Sequence, residues 1–327
     1  MNGSADDGRL PVRYVCMPGS PYTGSTLLGF LLNSHPDCAS IGAATGLTSK
    51  VDVATYMCSC GEAFDVCAFW NGVAERTREL GHPVTVFEND FWNTHVRLSR
   101  RRWLNGVLIR SLGNTSVNAV RDAIIGSLGP VRRTISEARL STWSLACAVL
   151  EATGKTVFVD TARDHQRPKF LKGEASFDLK VIHLVRDPRG NTASIMKHSG
   201  VDVATAARQW RHYNEEADRV KQLFPSASWL TLHYEQLCAE PQATLDRIAG
   251  FIGVEPAPIP TSLGSVEHHI IGNSMRLQGV AEIREDQAWR EMLSANDVDV
   301  IARITGSTSR RLGFDWPRSR SALVPSA

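Results

Sequence analysis

Neither sign of charge dominates this 327-residue chain: 36 Lys and Arg stand against 34 Asp and Glu, a formal net charge of +2. So even a balance gives no molecule-wide field for coating nucleic acid or a membrane surface, and any basic function must be local. No uninterrupted apolar run approaches the ~18 residues of a membrane span. The polar, acidic start from Met1 to Arg9 is unlike a signal peptide. Cysteine is scarce and odd in number, seven in all, which in a large chain predicts reduced thiols and a cytoplasmic location rather than a disulfide framework. Internal repeats and low-complexity tracts are lacking as well. The remainder, 43% hydrophobic and 21% charged, is ordinary for a globular protein and excludes wholesale disorder.

Residues 12–17 (VRYVCM) are β-branched and aromatic and end at Pro18-Gly19, which predicts a short strand. A Gly/Ser/Pro/Thr loop follows from Gly19 to Ser25. Leu27, Leu28, Leu31 and Leu32 then recur at helical spacing until Asn33 to Pro36 stops the run. Further strands are expected at Thr156 to Asp160, Lys180 to Arg186 and Trp229 to Tyr234. Between the last two, Ala206, Trp210, Tyr213, Ala217, Val220 and Phe224 form one apolar helical stripe, and Leu245 to Ile252 reads as another helix. Near-continuous apolar strands alternating with helices predict an α/β fold with a central parallel sheet flanked by helices. The whole of 1–327 is expected to be one domain, with 45–150 a mostly helical, Trp-rich inserted cap on the acceptor side and 317–327 a frayed tail.

Two segments carry the chemistry. Gly19-Ser20-Pro21-Tyr22-Thr23-Gly24-Ser25-Thr26 has the frame G-x-x-x-x-G-x-[ST] between a strand and a helix. Such a P-loop-like turn aims successive backbone N–H groups, and the positive end of the helix, at an anion. The Lys that an ATP or GTP loop carries before its Ser/Thr is Ser25 here, so a triphosphate is not the expected anion. A plain Gly-rich turn is the alternative. Further on, Arg186 ends a predicted buried strand, at the edge where open α/β sheets bind ligands. With Ser194 eight residues on, its guanidinium would grip a second phosphate. The alternative is a structural ion pair of Asp187 with Arg186 or Arg189.

Together GSPYTGSTLL (19–28) and IHLVRDPRGNTASIM (182–196) resemble the two cofactor signatures of PAPS-dependent sulfotransferases, PAPS being 3′-phosphoadenosine 5′-phosphosulfate. The segments VDTARDHQRPKFL (159–171), LHYEQLCAEPQATLDRIAGFIGV (232–254), IIGNSMRL (270–277) and DQAWREML (286–293) agree. CSCGEAFDVCAFW (58–70) resembles a run of bacterial members. The resemblance spans most of 12–295 and is weakest at 75–150. It implies that the backbone of Gly19, Tyr22, Thr23, Gly24, Ser25 and Thr26 holds the 5′-phosphate, and that Arg186, Ser194 and Arg276 hold the 3′-phosphate. It also implies in-line transfer of a sulfuryl group to a hydroxyl, leaving 3′,5′-ADP (PAP), with no metal required.

The sequence departs from the family pattern twice: Tyr22 stands where a loop Lys or Arg is usual, and Gly42-Ala43 where a Gly-Glu pair is usual. Arg163 is the candidate replacement for the missing cation. Asp160 or His165 is the candidate base, with Asp160 as an orienter of Arg163 and His165 as a loop histidine the alternatives. His35 and His183 are expected to be structural. Cys58, Cys60 and Cys67 offer three soft ligands without an evident fourth; His82 stands at a possible distance, and a disulfide or buried thiols are open alternatives. Arg100-Arg101-Arg102 reads as a solvated helix face or a recruiter of acidic acceptors. The acceptor, a small molecule, glycoside, lipid or peptide, would be selected by the cap. Two other functions stay open: a small-molecule kinase using Thr26 and Asp160 to hold magnesium, and a nucleotide-binding protein that has lost catalysis.

Overall fold

The computed structural model describes residues 10–47, 51–99, 101–109, 115–261, 268–272, 277 and 283–314. Arg100, Arg276 and the expected frayed tail at 317–327 lie outside the described residues. Five strands, β1 (Val12–Pro18), β2 (Cys38–Gly42), β3 (Val157–Arg163), β4 (Phe177–Val185) and β5 (Trp229–His233), form one sheet in the order β2-β3-β1-β4-β5. Every pairing is parallel, with Tyr14 opposite Phe158 on one side of β1 and opposite Leu179 on the other. Successive strand residues pack on opposite faces: Tyr14, Cys16, Phe158 and Val181 join one core cluster, and Val15, Met17, Val159 and Ile182 the other. Burial on both faces is why these strands read as unbroken apolar runs rather than as an alternation.

Helix α1 (Ser25–Asn33) follows the loop after β1. α2 (Ala68–Glu79), α3 (Arg102–Ile109), α4 (Thr115–Ser127) and α5 (Gly129–Thr153) make up the helical part of the insertion. α5 is more than a cap element: its Leu145, Ala146, Ala148 and Val149 share a core cluster with Tyr14, Ala39 and Phe158 of the sheet. Trp70 and Trp92, two of the tryptophans of the expected cap, are also core. They are fully buried with ring centroids 5.6 Å apart, since large flat side chains stabilise most when removed from water. Beyond β3 come α6 (Arg167–Leu171), α7 (Pro188–Ser199), α8 (Val203–Lys221), α9 (Tyr234–Ala239), α10 (Pro241–Ile252), a short turn of helix at Trp289–Met292 and a long helix at Ala295–Arg311. Trp210 is fully buried, as the stripe on α8 predicts. Among the described residues no helix is long and apolar enough to cross a membrane.

The sequence reading ends β3 at Asp160, but the strand runs on to Arg163 through an irregularity that sets Arg163 opposite Pro18. It gives no strand at Cys38–Gly42, where the sheet has its buried edge strand β2.

Candidate functional site

β1 lies at the switch point of the sheet, with β3 on one side and β4 on the other, so the loop Gly19–Gly24 leaves the sheet where a crevice opens. α1 then starts without a side-chain cap and without an acid in its first turn. Its first amides are therefore free to meet an anion, and the helix end is positive. Gly24 sits at φ 90°, and a Cβ there would lie 2.5 Å from the ring of Tyr234. Only glycine lets the loop pass that ring. Tyr22 also has a left-handed backbone, at φ 62°. Its ring stacks on His198 at 4.7 Å, while its carbonyl accepts from Arg186 Nη1 at 3.0 Å.

A residue missed in the sequence braces this loop. Asn191, fully buried on α7, accepts from Ser20 Oγ at 2.9 Å and donates to the Pro21 carbonyl at 2.7 Å. Thr23 Oγ1 closes the turn onto the Ser20 carbonyl at 3.1 Å. The RDPRGN run thus supplies the loop's support as well as Arg186.

Arg186 and Ser194 come together as expected, Nη1 to Oγ at 3.2 Å, and the guanidinium lies over Tyr234 at 4.7 Å. Tyr234 thus touches both halves of the crevice. The ion pair weighed as an alternative does form, in its Arg189 version: Asp187 takes Arg189, with bonds of 2.9 and 2.5 Å, and leaves Arg186 out. Arg186 instead donates Nη2 to the carbonyl and carboxylate of Asp286, at 3.0 and 3.1 Å. Burial works against the Asp286 carboxylate, but the Ala288 amide and Arg186 hold its pKa below the ordinary value.

The expected base Asp160 has another task. It is buried, its Oδ1 accepts from the amides of Ala44 and Ala162 at 2.9 Å each, and its Oδ2 accepts from Tyr14 Oη at 2.8 Å. Arg167 Nε closes on the same oxygen as an ion pair. With its lone pairs engaged, Asp160 is an anchor rather than a proton acceptor, and it orients Arg167, not Arg163. His165 is buried against Tyr213, centroids 5.3 Å apart. Arg163 takes a left-handed φ of 57° beyond the bulge in β3. Desolvation lowers the pKa of its guanidinium, with Tyr213 and Tyr22 opposing that shift. His35 and His183 are structural, as expected: the first accepts from the Asp37 amide and meets the Glu255 carbonyl, and the second is buried inside β4.

One group near this site was not foreseen. His95 reaches down from the insertion, with Nδ1 3.5 Å from Asp164 Oδ2; the two side chains are 23% and 24% exposed. Burial works against the Asp164 carboxylate, but His95 and the Gln166 amide keep its pKa below the ordinary value. The segment carrying His95 docks on the end of β2: Thr94 Oγ1 donates to the Ala44 carbonyl at 2.6 Å and the Trp92 amide to the Thr45 carbonyl at 3.0 Å. These bonds fix the segment from which His95 meets Asp164.

Residues 174–258 match the model of the sulfotransferase family. That segment contains β4, Arg186 and Ser194, so the sulfotransferase resemblance read from the sequence is borne out. Among solved structures, the sulfotransferase domain of the Synechococcus PCC 7002 olefin synthase matches with a TM-score of 0.52 at 19% identity, over 97% of this chain and 100% of that one. The sulfotransferase domain from the curacin biosynthetic pathway gives 0.48 at 16% identity, over 94% and 100%. A sulfotransferase from Mycobacterium avium gives 0.44 at 14% identity, over 93% and 78%. No curated protein matches the chain. The first likeness shows the fold: the α/β sheet with a P-loop-like turn is that of a sulfotransferase domain.

Proposed function

We propose that this chain transfers a sulfuryl group from PAPS to a hydroxyl of a small-molecule, glycoside, lipid or peptide acceptor. The observation that carries the reading is the meeting of two anion cradles across Tyr234: the uncapped start of α1 beneath Gly24, and the Arg186–Ser194 pair. A nucleotide with phosphates at both ends of its ribose needs two such cradles side by side. The backbone amides of Gly19, Tyr22, Thr23, Gly24, Ser25 and Thr26 hold the 5′-phosphate, and Arg186, Ser194 and Arg276 the 3′-phosphate. When bound, PAPS supplies a sulfuryl group that moves in line to the acceptor oxygen as charge builds on the 5′-phosphate.

Arg163, opposite Pro18 at the loop's root, meets that charge in place of the absent loop Lys. His95, aligned by Asp164, takes the acceptor proton. The engagement of Asp160 by Arg167, Tyr14 and two amides speaks against the kinase reading, which needs that carboxylate for magnesium.

The test is thermal unfolding with ligands, then turnover. 3′,5′-ADP without magnesium is expected to stabilise the protein, and ATP with magnesium is not; the reverse would favour a kinase. Labelled PAPS with a panel of alcohols is then expected to give a sulfated product. Binding without transfer to any acceptor would support the lapsed-enzyme reading. With a productive acceptor, His95→Gln is expected to lower kcat roughly 10²–10⁴-fold and leave 3′,5′-ADP binding intact. An unchanged kcat would remove His95 from the role.

A further inference from the structure

The root of the insertion holds a second site, away from the crevice. Residues 56–64 fold into a small hairpin: Met57 bridges Ala63, the Cys58 amide donates to the Glu62 carbonyl at 2.8 Å, and the Gly61 amide to the Cys58 carbonyl at 3.1 Å. Cys58 and Cys60 project from it. Cys67, buried, is the N-cap residue of α2. The fourth member comes from the far end of the chain and is His269, not His82. Its Nδ1 lies 3.5 Å from Cys58 Sγ and 3.5 Å from Cys67 Sγ, while Cys60 Sγ and Cys67 Sγ are 3.7 Å apart. All four ligand atoms fall within 4.8 Å of one another.

These separations discriminate among the possible chemistries. A disulfide has its sulfurs at about 2.05 Å, far inside the separation found here. A tetrahedral zinc with Zn–S of about 2.3 Å and Zn–N of about 2.0–2.1 Å has edges of about 3.75 Å between sulfurs and about 3.55 Å between sulfur and nitrogen. Three of the six edges of the cluster, at 3.7, 3.5 and 3.5 Å, match these, and all six lie within 4.8 Å. Around them the site is held by bonds that need no metal. Ser59 Oγ donates to the His268 carbonyl at 2.6 Å and accepts the Ile270 amide at 2.7 Å, and Tyr56 Oη meets both the amide and the carbonyl of Gly272. The His269 ring lies flat on Phe69, centroids 4.1 Å apart with 2° between planes, which fixes its direction.

We infer that Cys58, Cys60, Cys67 and His269 bind one zinc ion in a closed structural site that ties the hairpin and α2 to the segment 268–272. Three thiol protons leave on binding, His269 stays neutral, and the filled site carries one negative charge. With four protein ligands no position is open for a water or substrate, so the ion has a structural task and takes no part in sulfuryl transfer. The inference stands apart from the proposed activity.

The experiment uses the full chain, purified without chelators under reducing conditions. Elemental analysis is expected to find one zinc per chain, released on titration of the thiols with a mercurial. Replacement by Co²⁺ is expected to give a thiolate-to-cobalt charge-transfer band and the intense d–d bands of tetrahedral cobalt. Stripping the zinc is expected to lower Tm by roughly 5–10 °C. Cys60→Ser and His269→Gln should each weaken the charge-transfer or d–d signature. Should a variant fail to fold, the wild-type spectrum decides. Reduced protein with only trace zinc and no tetrahedral cobalt spectrum would overturn the inference. So would a Cys60–Cys67 disulfide in rapidly alkylated protein, or zinc retained in full by both variants.

Discussion

Arg186 is the residue on which the crevice turns, because it bonds at once to the loop through Tyr22, to α7 through Ser194 and to Asp286. Arg186→Ala is expected to weaken 3′,5′-ADP binding by ~1.5–3 kcal/mol, the loss of a charged hydrogen bond, read by calorimetry. Unchanged affinity would remove the 3′-phosphate assignment. Asp286 competes with the ligand for the same guanidinium, yet its side chain is 54% exposed, and such a pair is worth at most ~1 kcal/mol. Asp286→Asn is therefore expected to tighten 3′,5′-ADP modestly, by less than about tenfold; weaker binding would make Asp286 a support rather than a competitor. The loop and Arg186 were readable because each sits directly beside a strand end. Asn191 and His95 were not, since a neutral amide and a lone histidine have no spacing that announces a partner.

At the scale of the element, β4 carries a cost inside it. Burial pushes the pKa of His183 down to about 4, against 6.5 for a free imidazole. The folded state thus refuses a proton that the unfolded chain accepts between these values. Stability is complete above about pH 6.5 and falls as the pH drops towards 4, by about 3 kcal/mol over the window. Urea midpoints measured from pH 7 to 4.5 should decline with acidification, and His183→Leu should flatten the decline; an equal slope in both proteins would assign it to other groups. Element-level reading succeeded for β1 and β4, whose apolar runs are long, and for β5, which the bulky Trp229, Leu230 and Leu232 mark. It missed β2, because Cys38–Gly42 is short and half small or polar and owes its burial to β3 and the later Ile271, which bridges Gly42. It stopped β3 at Asp160 because nothing local signals that the chain continues to Arg163.

The molecule as a whole is fastened by the Asp160–Arg167 pair, which joins β3 to Tyr14 of β1, to Ala44 after β2, and to Thr94 and Thr142 of the insertion. Both partners are almost fully buried. Arg167→Met leaves the carboxylate without its cation and is expected to cost about 3–5 kcal/mol, seen as a lower urea midpoint. Arg167→Met with Asp160→Asn is expected to recover part of that loss; no recovery would mean that Arg167 acts through packing alone. The parallel sheet and the sulfotransferase resemblance were legible from motif and pattern, whereas the strand order and this fastening were not, because their members touch only after the sheet has formed.

The position of β1 also fixes the order of events on the ribosome. Of the five strands the central one is made first, and neither of its neighbours exists until synthesis passes Val157 and then Phe177. The nascent chain must carry an apolar ribbon with two open edges through the whole synthesis of the insertion. That interval is when it is most exposed to mispairing and most in need of a chaperone's cover.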